Sequence, residues 1–248
     1  MCDDLIAKHF INSALSHQLH QSPEGTTHFT LNPSGRVWLI SHNTPTDFAA
    51  LDKLDPRWTT LNSYDPAIVA WAAEWNHSAQ HLREMKIDVS KDKIPDEPKL
   101  PEGYKMPSTI EAKLWYLEKF PTLAETIHKA GAQVFVISDH TRSIPKKVAW
   151  CTIIMDKETK KCFISTLEVL PDYRRKGLAQ YLISMVARTW SATVEGEGTV
   201  WLTVFDSNVP ALTLYEKMGF KTNRELWNII RAGTIRRLSI KTDEWGSG

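Results

Sequence analysis

The spacing of apolar positions changes character around residues 87 to 107. Before that stretch the pattern is sparse. Residues 28–31 (HFTL) and 37–41 (VWLIS) alternate as strands do and flank the turn formers Asn32, Pro33, Ser34 and Gly35, which predicts a hairpin. Two helices are expected next. The stronger starts from Asp65 as N-cap and Pro66 in the first turn, with Ile68, Trp71, Ala72, Trp75 and Ala79 at helical spacing. Residues 87–107 then gather charges and prolines into a stretch suited neither to a helix nor to a central strand, and read as a linker or long loop.

Beyond residue 107 the periodicity sharpens. Ser108-x-x-Glu111 and Thr122-x-x-Glu125 have capping-box spacing ahead of apolar patterns, predicting two short helices that end at Gly131. Residues 133–138, 147–154 and 162–169 read as strands, the last two joined by the charged turn 156–161. A helix over 177–190 places Leu178, Leu182, Met185 and Val186 on one face. A strand over 199–205, a helix over 210–218 closed by Gly219, and two strands around 226–231 and 235–241 complete the order.

Composition narrows the function classes. A chain of 248 residues with 42% apolar and 24% charged residues and a net charge of +1 is an ordinary globular protein, with no basic excess to recruit a nucleic acid. Cys2, Cys151 and Cys162 are an odd number at unrelated spacings, so no disulfide framework or metal site is expected and a reducing cytoplasm fits. Asp3 and Asp4 stand where a signal peptide would be basic, and no apolar run approaches the roughly 20 residues that span a membrane. The terminal Gly246, Ser247 and Gly248 have the composition of a flexible end.

The informative chemistry lies where the strand ending at Val169 turns into the helix beginning near Gly177. A glycine there lets a ligand approach the backbone, and the unpaired N–H groups of a helix start favour a phosphate. Arg174, Arg175 and Lys176 add positive charge at the same end. A solvated basic turn would have the same composition, so the R-x-x-G-x-A pattern by itself is degenerate.

Val169-x-Pro171-x-Tyr173-Arg174-x-x-Gly177-Leu178-Ala179 resembles the acyl-CoA signature of the GNAT N-acetyltransferase superfamily. A second segment, Asn208-x-x-Ala211-x-x-Leu214-Tyr215 followed by Gly219 and Phe220, is similar to that family's later motif and occurs in the right order. The resemblance covers about residues 103 to 241, with residues 103–106 supplying a short first strand. It implies an α/β (α+β) domain over 103–245, a mixed central sheet flanked by helices and splayed between the strands ending at Val169 and Phe205. Residues 1–102 form an extra N-terminal α/β region.

The same resemblance implies acetyl-CoA as acyl donor and a primary amine of a small molecule, amino acid or protein as acceptor. The backbone of Leu167, Glu168 and Val169 would hold pantetheine, with the Val169 N–H also polarising the thioester carbonyl. Arg174 and the backbone of Arg175, Lys176, Gly177, Leu178, Ala179 and Gln180 would hold the pyrophosphate. Asn208 would meet the pantetheine arm, and Tyr215 would protonate the departing thiolate. Tyr215 could otherwise be a core aromatic, and Asn208 could also cap its helix. Cys151 and Cys162 read as small hydrophobes on strands.

The general base stays open. Glu168 lies beside the expected cleft, although strand alternation turns it opposite Leu167 and Val169. Thr203 stands near the position where some family members carry a glutamate, and Asp139, His140 or a water chain are alternatives. For residues 1–102 three roles are open: part of the acceptor pocket, with Trp38, Trp58, Trp71 and Trp75 lining it, a separate module, or a degenerate copy of the transferase half. The pocket role is preferred. An acyl-CoA-binding sensor without turnover is the alternative function.

Overall fold

The computed structural model describes residues 17–21, 27–31, 36–41, 60–90, 99–120 and 132–232, the first three spans as backbone only. In chain order the described strands are β1 (His17–Gln21), β2 (Thr27–Leu31), β3 (Arg36–Ser41), β4 (Thr60–Ser63), β5 (Ser78–Ser90), β6 (Tyr104–Lys105), β7 (Gln133–Asp139), β8 (Lys146–Asp156), β9 (Lys161–Val169), β10 (Glu197–Phe205) and β11 (Lys221–Ile230). The helices are α1 (Ile68–Glu74), α2 (Thr109–Lys119), α3 (Leu178–Thr193) and α4 (Val209–Lys217), with a 3-10 turn over Pro171–Tyr173. Two compact units emerge. Unit 1 comprises Met1–Glu84, Val204–Val209 and Thr222–Gly248, and unit 2 comprises Met85–Thr203 and Pro210–Lys221.

In unit 1 the strand order is β1, β2, β3, β4, β11 and the first half of β5. The expected hairpin is β2 and β3, paired antiparallel from Thr27↔Ser41 to Leu31↔Val37. β4 runs parallel to β3 over Arg36↔Thr60, Val37↔Leu61 and Trp38↔Asn62, and β11 closes against β4 antiparallel. Asn228 Nδ2 donates to Asn62 Oδ1 at 2.8 Å between paired positions.

Three expectations need correction here. The helix expected to reach Ala79 stops at Glu74, because Asn76 takes a left-handed backbone (φ 56°) and β5 begins at Ser78. Within the expected linker, residues 87–90 belong to β5, and residues 104–105 and 109–119 to β6 and α2. The strand expected at 226–231 starts earlier, at Lys221. Trp71 is core, whereas Trp75 is 52% exposed on the outer side of α1. The expected helix after Thr122 and strand at 235–241 lie outside the described residues, as do Trp58 and the side chain of Trp38.

In unit 2 the order is the second half of β5, then β10, β9, β8, β7 and β6. β8 is central, and Val148 to Ile153 are buried without interruption, as a strand covered on both faces requires. α2 opens with the expected capping box: Ser108 Oγ accepts from the Glu111 N–H at 3.3 Å, and Glu111 Oε2 accepts from the Ser108 N–H at 2.9 Å. The helix buries Ala112 and Tyr116 against Val134, Val136 and Trp150. α3 buries Leu178, Leu182, Ile183, Val186, Ala187 and Trp190, a stripe at helical spacing, and packs on β8 and β9. At the β8–β9 turn the Asp156 carboxylate accepts from the N–H groups of Glu158 and Thr159, which explains why that polar run holds a tight turn. The result is the expected mixed sheet with flanking helices.

Candidate active site

β9 and β10 run parallel and pair over Lys161↔Thr199, Cys162↔Val200 and Phe163↔Trp201. Both strands then continue unpaired with each other, β9 to Val169 and β10 to Phe205. A bulge in β9 sits where they part. Against β8 the register passes from Ile153↔Ile164 to Thr152↔Thr166, leaving Ser165 as the extra residue. A bulge bends the strand that carries it and increases its twist, so β9 turns aside two residues past its last contact with β10.

The bulge also decides which groups face the opening. The Leu170 N–H bonds to the Val148 carbonyl at 2.9 Å, and antiparallel alternation then directs the amides of Leu167 and Val169 away from β8. By the same alternation the Glu168 amide points toward β8. Its side chain lies on the face of its cross-strand partner Trp150, while Leu167 shares a face with Cys151. Partial burial raises the Glu168 carboxyl above its ordinary range, opposed by the positive charges of Lys119 and Arg174. Lys119 Nζ lies over the rings of Trp150 (5.3 Å), Trp115 (5.7 Å) and Phe120 (5.7 Å).

The turn after β9 is built from its own side chains. Tyr173 is buried and Arg174 Nε donates to the Val169 carbonyl at 3.1 Å. Lys176 Nζ sits 5.0 Å from the Tyr173 ring and donates to the Tyr104 hydroxyl at 3.3 Å. Arg175 (φ 64°) and Gly177 (φ 77°) are both left-handed, which costs a non-glycine residue roughly 1–2 kcal/mol. Nothing lies within 4 Å of where a Gly177 Cβ would stand, so the space beside Gly177 is open. The first helical bond runs from the Tyr181 N–H to the Gly177 carbonyl at 2.9 Å, which leaves the N–H groups of Leu178, Ala179 and Gln180 ahead of the ladder.

Tyr215 is buried on α4 at 7% exposure, and burial, reinforced by nearby Cys151, pushes its hydroxyl up to about 12. It keeps its proton across the working range and can donate it. The helix ends as expected at Gly219 (φ 90°), with the Phe220 N–H bonded to the Tyr215 carbonyl at 3.0 Å. Asn208 immediately precedes α4 and is exposed, its N–H bonded to the Phe205 carbonyl at 2.9 Å. Burial raises the thiols of Cys151 and Cys162, the latter to about 12, in keeping with packing rather than nucleophilic roles.

Among the alternative bases, Asp139 is committed elsewhere. Its carboxylate accepts from the Thr141 hydroxyl at 2.6 Å and N–H at 2.9 Å, which hold it below the ordinary range against the opposing effect of burial. His140 is exposed, with its N–H on the Gly103 carbonyl. Among the described residues no cluster of His, Cys, Asp and Glu could hold a metal ion, and no helix is long and apolar enough to cross a membrane.

Unit 1 holds two polar clusters that the sequence did not single out. Buried Glu84 accepts from Arg224 Nη2 (2.9 Å), Arg224 Nε (3.1 Å), Asn223 Nδ2 (2.5 Å) and the Tyr64 hydroxyl (3.2 Å). Asp206, directly after β10, receives His81 Nδ1 on one carboxylate oxygen and Arg83 Nε at 2.6 Å on the other. His81 and Arg83 share a face of β5 as residues i and i+2, a period-2 pairing that could have been noted once β5 was known to be a strand.

Residues 100–220 match the model of the acetyltransferase (GNAT) family. Over 62 residues the chain is 37% identical to an N-alpha-acetyltransferase of Saccharolobus solfataricus, an alignment spanning 25% of this chain and 36% of that protein. The fold resembles a GCN5-related N-acetyltransferase from Kribbella flavida (TM-score 0.63, 14% identity, 93% of this chain and 94% of that one). It also resembles one from Sphaerobacter thermophilus (TM-score 0.55, 15% identity, 84% and 78%) and a tandem GNAT protein from the clavulanic acid biosynthesis pathway (TM-score 0.54, 14% identity, 87% and 83%). At these identities the solved structures speak for the fold. The parted β9–β10 pair and the glycine-led helix that follows β9 both lie within residues 100–220, the span that matches the acetyltransferase (GNAT) family model.

Proposed function

We propose that the chain transfers the acetyl group of acetyl-CoA directly to a primary amine. The observation that carries this reading is the coincidence, within unit 2, of a parted parallel strand pair, an open helix start at Gly177 and a buried, protonated tyrosine on α4. The N–H groups of Leu178, Ala179 and Gln180, with the positive charge of Arg174, Arg175 and Lys176, suit the pyrophosphate. The outward-directed amides of Leu167 and Val169 suit pantetheine, and the Val169 N–H supports the developing oxyanion. Tyr215 gives its proton to the leaving thiolate. Asn208 holds the pantetheine arm, by likeness to the family motif. Glu168, raised by partial burial, is a base on the face of β9 opposite Leu167.

The name of the archaeal relative puts a peptide α-amine first among acceptors to try. For residues 1–102 we propose a degenerate copy of the transferase half. β1 to β3, β4 and α1 follow the same sequence of meander, parallel strand and helix as β7 to β9, β10 and α4, and one protein of similar fold is named a tandem GNAT protein. Titration calorimetry with acetyl-CoA tests the donor: no binding at millimolar ligand defeats the proposal. Thiol release with an alanine-initiated peptide, glycine and spermidine tests transfer. Binding without release on any of them leaves a sensor rather than an enzyme.

A further inference from the structure

We infer that Tyr104, on the short strand β6, is a positioning residue for the donor phosphates, acting through Lys176 on the turn that leads into α3. This rests on the acetyl-CoA reading above and deepens it, because it gives the basic residues of that turn different tasks. Tyr104, Asp139, Tyr173 and Lys176 all belong to unit 2.

A strained residue needs neighbours that hold it. Arg175 keeps a left-handed backbone (φ 64°) although it is not glycine, and such a conformation persists only where the surrounding structure over-determines it. The side chains on either side are pinned. Arg174 Nε donates to the Val169 carbonyl at 3.1 Å, tying the turn to the end of β9. Lys176 Nζ lies 5.0 Å from the Tyr173 ring centroid and 6.0 Å from that of Tyr104, and donates to the Tyr104 hydroxyl at 3.3 Å. The ammonium thus rests on two rings that meet edge to face, their centroids 6.5 Å apart and their planes at 89°.

Both rings are anchored at one buried carboxylate. Tyr104 is the cross-strand partner of Asp139 in the β6–β7 pair, and the Tyr173 hydroxyl donates to the Asp139 side chain. Asp139 is fixed in turn by the N–H and hydroxyl of Thr141. Ahead of Tyr104, the Gly103 carbonyl accepts from the His140 N–H at 2.7 Å, which holds the start of β6 to the end of β7. A closed path therefore runs from Asp139 through Tyr104, Lys176 and Tyr173 back to Asp139.

The consequence is a division of labour among the cations. The Lys176 ammonium, engaged by two rings and a hydroxyl, holds the backbone of residues 175–177 in place instead of reaching for a phosphate. The N–H groups of Leu178, Ala179 and Gln180 then meet the donor already arranged. Without Tyr104 or Lys176, Arg175 relaxes toward an ordinary φ, and donor affinity falls by the fraction of molecules that keep the turn.

The test is titration calorimetry with acetyl-CoA on the wild type, Tyr104→Leu, Lys176→Met and the double variant, with KM and kcat from thiol release alongside. Tyr104→Leu changes no charge, yet it is expected to weaken acetyl-CoA binding and raise its KM by about 5-fold, with kcat at saturating donor unchanged. Lys176→Met is expected to lose at least as much. The double variant should lose no more than Lys176→Met, because both substitutions undo one contact. Lys176→Arg, whose guanidinium also stacks on aromatic rings, should restore most of the affinity. Tyr104→Phe keeps the ring and supplies the comparison if Tyr104→Leu does not fold: its loss is about 2-fold and vanishes in the Lys176→Met background. Losses that multiply in the double variant overturn the assignment and make Lys176 a direct phosphate contact. A lower Tm with donor affinity and KM unmoved in the Tyr104 variants also overturns it. A wild type that binds no acetyl-CoA instead overturns the donor reading itself, a result recognisable before any variant is made.

Discussion

Each half of the chain traces the same path: a three-stranded antiparallel meander, a connection, a strand parallel to the third over three residue pairs, then a helix and another strand. What differs is how polar groups are used. After β4, the Asp65 carboxylate accepts from the Ala67 N–H at 2.9 Å and the Asp65 N–H donates to Ser63 Oγ at 3.0 Å, so the turn into α1 satisfies its donors locally. After β9, three donors at the start of α3 precede the helical ladder, and the space where a Gly177 Cβ would stand is open. α1 buries Ile68, Trp71 and Ala72, whereas α4 buries Leu212 and Tyr215. A common path thus leads to two different helix starts, set by a few residues in each half.

The contrast can be broken by substitution. Gly177→Asp sets a carboxylate and a strained φ against the pyrophosphate proposed there, and acetyl-CoA affinity should fall by at least about 100-fold, since like-charge contact costs several kcal/mol. Ala67→Asp, at the start of α1, should leave that affinity unchanged; equal losses by calorimetry would erase the distinction. Tyr215→Phe should keep acetyl-CoA affinity and lower kcat by about 10²-fold, and a thiol-release assay showing full turnover would remove Tyr215 from the mechanism. Glu84→Gln, in unit 1, should instead act on stability. Losing the charge opposite Arg224 at a buried position costs about 2 kcal/mol, seen as a fall of roughly 4–8 °C in Tm. Its acetyl-CoA affinity should match the wild type. Ser108→Ala opens the α2 capping box and should cost about 1 kcal/mol in denaturant unfolding, the smallest effect of the set.

The strands of unit 2 and the helix α3 were readable because their apolar residues keep one period throughout and their ends carry glycine or capping residues. The Gly177 turn and the Tyr215 helix were readable for a different reason: their special residues lie close together in sequence. β5 was hidden. Its inward positions include Glu84 and its other face carries His81 and Arg83, so period-2 alternation never separates apolar from polar. Asp88, which made residues 87–90 look like linker, accepts from Thr199 Oγ1 at 3.0 Å. The His81–Asp206 pair joins positions 125 apart, and no local pattern announces such a contact. The bulge at Ser165 likewise leaves no mark in composition, because it is a property of register.

The composition of unit 1 also has a temporal side. Its first strands leave the ribosome early, but the part of β11 that pairs with β4, Trp227 to Ile230, is encoded after everything in unit 2. Unit 2 holds all its residues once Lys221 has emerged, while unit 1 still waits for the residues from Thr222 onward. In a chain synthesised from its N-terminus, the part made first is therefore the part completed last.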